Sequence, residues 1–153
     1  MTRLLDFTRS PYVACYFALE ELANKPKKVT ELEDCAIWAV DTRWLIRNSF
    51  RRVRGRLRGY TEDSLLDSKV VAEKFDKVLV KNRKPLVLPV VPSRSNPRLL
   101  VQQGLFLCPS LAESDFYKNL MSYREDTRDM ETHVYKIVIP GRIRTEACLS
   151  FAL

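Results

Sequence analysis

Long apolar runs are missing from this chain of 153 residues. No stretch approaches the roughly 18 to 20 residues that a membrane-spanning helix needs, and the amino terminus lacks the charged, apolar, small-residue order of a secretory signal. No membrane partner is expected, and a cytoplasmic address follows. Histidine occurs once, as His133, and the four cysteines Cys15, Cys35, Cys108 and Cys148 lie far apart with no CxxC pair, so no metal is expected. Apolar neighbours around the cysteines read as reduced, buried thiols acting as small hydrophobes. Internal repeats and low-complexity segments are absent too, as is any zinc-finger, RRM or KH pattern.

What is present is a composition of 46% hydrophobic and 29% charged residues, near the globular average, which excludes wholesale disorder and a fibrous architecture. At this length a single domain, residues 1–153, with one core is expected. The net charge of +7 favours contact with polyanions. Its densest part is the run from Arg43 to Arg58, which contains Arg43, Arg47, Arg51, Arg52, Arg54, Arg56 and Arg58.

Ser10-Pro11 announces a helix over Pro11 to about Ala23: serine caps, and proline at the first helical position loses no needed donor. Val13, Ala14, Phe17, Ala18 and Leu22 form its apolar stripe. Cys35 to Val40 reads as a buried strand, after which Asp41 or Thr42 caps a helix. Trp44, Leu45, Phe50 and Val53 are too sparse among the arginines to define a helix. Thr61 to Lys81 has helical spacing throughout. Pro85 to Pro92 is extended and confined by its prolines to a sheet edge or end. Ser95-Asn96-Pro97 starts a helical turn, a strand leaves from Gly104, Ser114 to Tyr123 forms a short helix, and Val134 to Ile139 is the clearest strand. A last helix is expected after Gly141. The resulting class is α+β, with a small mixed or antiparallel sheet and packed helices.

Thr2-Arg3-Leu4-Leu5-Asp6-Phe7-Thr8, followed by Ser10-Pro11, Ala14 and Tyr16-Phe17-Ala18, resembles the signature block of the FRG domain family. Asp34 to Ala39, the Arg98-x-x-x-Gln102-x-Gly104-x-Phe106 element and Lys136 to Pro140 are similar to later blocks of that family, in order. The family's Phe-Arg-Gly motif lies upstream of the first block, and its members continue beyond the last helix, so a domain cut at both ends is the expectation. The resemblance implies a place in phage-defence or toxin-like systems, a fold similar to ADP-ribosyltransferases, and NAD as the cofactor to test. It gives no catalytic residue.

Two uses of the surface compete. In the first, a nucleotide-like anion binds near the amino end of the first helix through Arg3, Asp6, Thr8, Ser10, Tyr16, Arg98 and Gln102. Arg98 and Gln102, four residues apart, share a helical face, and Gln102 serves to position a ribose hydroxyl rather than to move protons. The bland alternative for Arg3 and Asp6 is an internal cap and ion pair. In the second, a non-catalytic module holds nucleic acid or an acidic protein through Arg47, Arg51, Arg52 and Arg54, with Trp44, Phe50 and Tyr60 for stacking; a merely solvated face explains the same run. His133 reads as a surface or edge residue. The first use requires the helix to pack on a small sheet so that the Arg3–Asp6 turn meets the Gln102-Gly104 strand.

Overall fold

A computed structural model of the chain describes residues 4–24, 34–92 and 97–141. The first strand, β1 (Leu5–Thr8), leads through a tight turn into helix α1 (Pro11–Asn24). The Ser10 hydroxyl accepts from the Val13 N–H at 3.4 Å, so the cap forms where serine and proline predict it. Strand β2 (Cys35–Val40) follows, then α2 (Thr42–Val53), α3 (Ser68–Phe75), β3 (Val87–Val90), α4 (Pro97–Val101), β4 (Gly104–Pro109), α5 (Phe116–Met121) and β5 (Val134–Ile139).

The strands form two antiparallel sheets rather than one: a three-stranded sheet in the order β1-β4-β3 and a two-stranded sheet of β2 with β5. The proline-rich strand β3 is an edge, as a strand lacking some of its N–H donors must be. The class is thus α+β.

Helix α2 forms where Asp41 or Thr42 is expected to cap one, although its apolar residues are too sparse to define it by spacing. Asp41 caps it, its carboxylate accepting from Arg43 N–H at 2.9 Å and Trp44 N–H at 3.1 Å. Trp44, Leu45, Asn48, Ser49 and Val53 turn inward, leaving Arg43, Arg47, Arg51 and Arg54 outside. Asn48 and Ser49 complete the buried face, so a count of apolar residues alone underestimates it.

The expected helix over Thr61 to Lys81 is broken. A short 3-10 turn spans Glu62–Leu65, α3 begins at Ser68, and it widens into a π-helical turn over Asp76–Val80. The cause is an internal cap: the Asp67 carboxylate accepts from Lys69 N–H at 2.8 Å and its carbonyl from Val71 N–H at 2.9 Å.

The core lies between α2 and the three-stranded sheet, where Leu45, Val53, Leu79, Leu86, Leu88, Leu107 and Tyr123 are fully buried. Burying each such side chain contributes about 1.5–3 kcal/mol. A polar knot runs through this core: Ser49 Oγ donates to the Val87 carbonyl at 2.9 Å and lies 2.6 Å from the Tyr123 hydroxyl, which accepts from Val87 N–H at 2.9 Å. Burial pushes the Tyr123 phenol up, against the bonds from Ser49 and Val87 and the charge of Arg52.

His133, at the entry to β5, is half-buried against Trp44, ring on ring at 5.4 Å. Its Nδ1 lies 2.9 Å from Asp41 and its Nε2 lies 3.6 Å from Asp129. Cys108 is buried, whereas Cys15 and Cys35 are half-buried. The cysteine expectation therefore needs correcting for the two on α1 and β2, whose neighbours leave a gap described below. Among the described residues, no helix is long and apolar enough to cross a membrane. Cys148 and the expected last helix lie outside the described residues.

Candidate functional site

A cleft of about 690 Å³ separates the two sheets. Asp6 and Thr8 on β1 stand opposite Phe106 and Gly104 on β4, so these four residues share one face of the three-stranded sheet. Ala14, Phe17 and Ala18 of α1 cover one flank, Ala36 and Trp38 of β2 form the far side, and Arg98, Leu99 and Gln102 close the end. The gap has a sequence cause. Ala14 and Ala18, one helical turn apart, and Ala36 across from them put methyl groups where larger side chains would fill the space.

Two backbone devices hold the closing end in place. The Thr8 hydroxyl donates to the Gln102 carbonyl at 2.6 Å, and Arg9 N–H donates to the Gln103 carbonyl at 3.0 Å, tying the β1–α1 turn to the α4–β4 turn. Gln103 takes a left-handed conformation, φ 49°, the usual way for a chain to leave a helix end. Gly104 then lets α4 lie on β4: a Cβ there would come within 2.4 Å of Leu99 Cδ1.

Four of the seven residues expected to hold a ligand, Asp6, Thr8, Arg98 and Gln102, border this cleft. The others do not. The Ser10 hydroxyl caps α1, and Ser10 N–H donates to Thr8 Oγ1 at 3.0 Å, so both hydroxyls are engaged in the turn. Tyr16 is 51% exposed and lies edge-on to Phe17 at 5.7 Å, away from the cleft. Arg3 lies outside the described residues. The cleft runs along the flank of α1 at Ala14 and Ala18 rather than at the N–H groups of its first turn.

The polar groups of the cleft stand apart from those in the core. Asn48, Ser49, Asn82, Ser110 and Asn119 are buried, and each makes a hydrogen bond. Among the described residues, by contrast, the Asp6 carboxylate, the Arg98 guanidinium, the Gln102 carboxamide and the Trp38 indole N–H have no hydrogen-bond or ion-pair partner, yet they border one largely apolar concavity with Phe17 and Phe106. A wall of that kind offers an anion site, an acceptor, an amide and aromatic surface together. Trp38 and Phe106 escaped the sequence reading as site residues, because a lone aromatic on a strand looks the same whether it faces core or cleft. Among the described residues, no histidine, cysteine and carboxylate groups converge as a metal site.

The arginine run divides. Arg52 is turned inward, its side chain 6% exposed. Its guanidinium donates to Asp126 at 2.6 Å, to the Ser122 hydroxyl at 2.7 Å, to the Ser122 carbonyl at 2.8 Å and to the Pro85 carbonyl, and lies over the Tyr123 ring. Arg56 donates to the Lys81 carbonyl at 2.8 Å and to Asn82 at 3.2 Å. Arg47 pairs with Glu62 at 3.6 Å and Arg51 donates to Asn48 at 3.2 Å. Arg54 is exposed. Arg47 and Arg51 thus lie on the wet side of α2, with Arg54 just beyond its end, while Arg52 holds the fold together from the other side.

No curated protein and no solved structure matches this chain. Residues 1–27, the stretch that supplies β1, the capped turn and the α1 flank of the cleft, match the family model of the FRG domain.

Proposed function

We propose that this chain is a small-molecule-binding domain whose inter-sheet cleft takes a nucleotide-like ligand, with NAD-dependent ADP-ribosyl transfer as the reaction to test there. One observation carries the reading: Asp6, Arg98 and Gln102 meet Phe17, Trp38 and Phe106 around a single cleft. A nucleotide presents a planar base, a hydroxylated sugar and an anion, which are the complements of aromatic surface, amide or carboxylate, and guanidinium. The volume of about 690 Å³ falls inside the roughly 300–1,000 Å³ typical of small-molecule sites.

In ADP-ribosyl transfer the bond between ribose and nicotinamide breaks, nicotinamide leaves with the bonding electrons, and an acceptor nucleophile joins the ribose and gives up its proton. Gln102 would orient a ribose hydroxyl and Arg98 would hold a phosphate; neither can take the proton at neutral pH. Asp6 is the one carboxylate among the described residues that line the cleft and the group we assign to take that proton. The reaction class and the link to phage defence rest on the family resemblance. Isothermal titration of the whole chain with NAD and AMP tests the binding, and chromatography for free nicotinamide tests the chemistry. No heat with either nucleotide at millimolar concentration would end the reading.

A second reading is favoured by Arg47 and Arg51 on α2 and Arg54 just after it, which present an exposed basic strip to nucleic acid or an acidic protein. Its support is narrower, because Arg52 and Arg56 are engaged within the fold. Affinity for a single-stranded oligonucleotide that falls steeply with salt, and further on charge reversal at Arg51 and Arg54, is its expected signature; salt-insensitive binding would contradict it.

A further inference from the structure

Of the rings bordering the cleft, Trp38 is the one contributed by the two-stranded sheet, and it is fixed from outside. Tyr117 of α5 meets it edge-on, centroids 5.8 Å apart at 66°, and Lys136, its cross-strand partner on β5, places Nζ 5.8 Å from the ring centroid. Two of the other rings are differently placed: Phe7 pairs with Phe116 against the core, at 6.0 Å, and Phe17 pairs with Tyr16. An indole held by two neighbours is an organised surface whose ordering cost is already met before a ligand arrives.

Resting on the nucleotide reading above, we infer that Trp38 is the base-recognising residue of the cleft, that the base it takes is neutral, as adenine is, and that Arg98 receives one phosphate. The neutral preference comes from Lys136. The quadrupole of the indole attracts a cation, but here an ammonium group already lies over it, and a second positive charge, such as the pyridinium of a nicotinamide nucleotide, would meet like-charge repulsion. A neutral purine stacks without that penalty, and Arg98 is the one basic side chain among the described residues that line the cleft, which matches one phosphate at a time.

The chain contains two tryptophans, Trp38 and Trp44. Trp44 is 3% exposed in the core, so a change in tryptophan emission on adding ligand reports on Trp38. The full chain would be titrated with AMP, nicotinamide mononucleotide, adenosine, ribose 5-phosphate and inorganic phosphate, by emission and by calorimetry. AMP is expected to quench emission and to bind at least tenfold tighter than nicotinamide mononucleotide, and roughly tenfold or more tighter than ribose 5-phosphate, the range that stacking on an aromatic side chain supplies. Trp38→Leu should bring AMP down to the level of ribose 5-phosphate. Trp38→Phe, which keeps a ring, should retain part of the difference and guards against a folding defect, as does the circular dichroism of each variant. Arg98→Ala should bring AMP to the level of adenosine while adenosine still quenches Trp38. AMP binding that is indifferent to Trp38→Leu, or nicotinamide mononucleotide binding as tightly as AMP, overturns this inference and leaves the nucleotide reading standing. No binding by any of the nucleotides brings down both.

Discussion

Thr8 and Gln102, 94 positions apart in sequence, are joined by a hydrogen bond of 2.6 Å from the threonine hydroxyl to the glutamine carbonyl, and the same hydroxyl accepts from Ser10 N–H. One side chain therefore fastens the start of α1 to the end of α4 and sets the distance across the closing end of the cleft. Thr8→Val keeps the shape and removes both bonds. A loss of about 1–2 kcal/mol in urea unfolding is expected, with weakened nucleotide binding; Thr8→Ser should recover most of each.

Gly104 and Leu99 form a second contact of this kind. A Cβ at residue 104 meets the end of the leucine side chain at 2.4 Å and its Cγ at 3.2 Å, so Gly104→Ala forces Leu99 to rotate. The expected stability loss is about 1 kcal/mol, with a larger fall in ligand affinity because Leu99 borders the cleft. The double variant Gly104→Ala with Leu99→Ala should regain part of the lost affinity, a non-additivity that a double-mutant cycle measures directly.

Arg52 and Arg54, two residues apart, should respond oppositely to removal. Arg52→Ala deletes the hub that joins α2 to Asp126, Ser122 and Pro85 and is expected to cost about 3 kcal/mol. Arg52→Lys should rescue little, since an ammonium group cannot reproduce a fork with this many acceptors. Arg54→Ala on the exposed side should stay within about 0.5 kcal/mol. Chemical unfolding midpoints compare the three.

Acid should loosen the junction at His133. Burial opposes ionisation of Asp41, but bonds from Trp44 N–H, His133 and Arg43 N–H outweigh it and hold its carboxyl below the ordinary value of 3.8. The bond from the Trp44 indole does the same for Asp129. For a carboxyl depressed on folding, the stabilisation is fully present above the unfolded value and is lost as pH falls through the folded one. Stability is therefore expected to fall below about pH 4. Asp41→Asn, which preserves the helix cap but removes the charge, should flatten that acid slope in unfolding midpoints measured from pH 2 to 6; an unchanged slope would show that other carboxylates govern it.

Much of the fold was legible because its signals are local. Ser10-Pro11 caps where it should, Cys35 to Val40 is a strand, half-buried rather than buried, Val134 to Ile139 is another, and the prolines around Val87 put β3 at an edge. The inward face of α2 was hidden because Asn48 and Ser49 are buried by bonds to the Trp44 and Val87 carbonyls, partners that hydrophobic spacing cannot register. The break at Asp67 was hidden because aspartate serves equally as a solvated helix residue and as a cap, and only its bonds distinguish the two.

The sequence by itself determined which segments are helix and strand near their caps, the α+β class, and the likeness of the first 27 residues to the FRG domain. Periodicity and capping depend on neighbours within a few positions, and those are written in order along the chain. Only the tertiary structure decided that the strands divide into two sheets, that alanines on α1 and β2 leave a cleft between them, that Trp38 joins Asp6, Arg98 and Gln102 around it, and that Arg52 turns inward while Arg54 turns out. Those outcomes depend on how elements far apart in sequence pack, and the volume left between two packed surfaces belongs to neither segment alone.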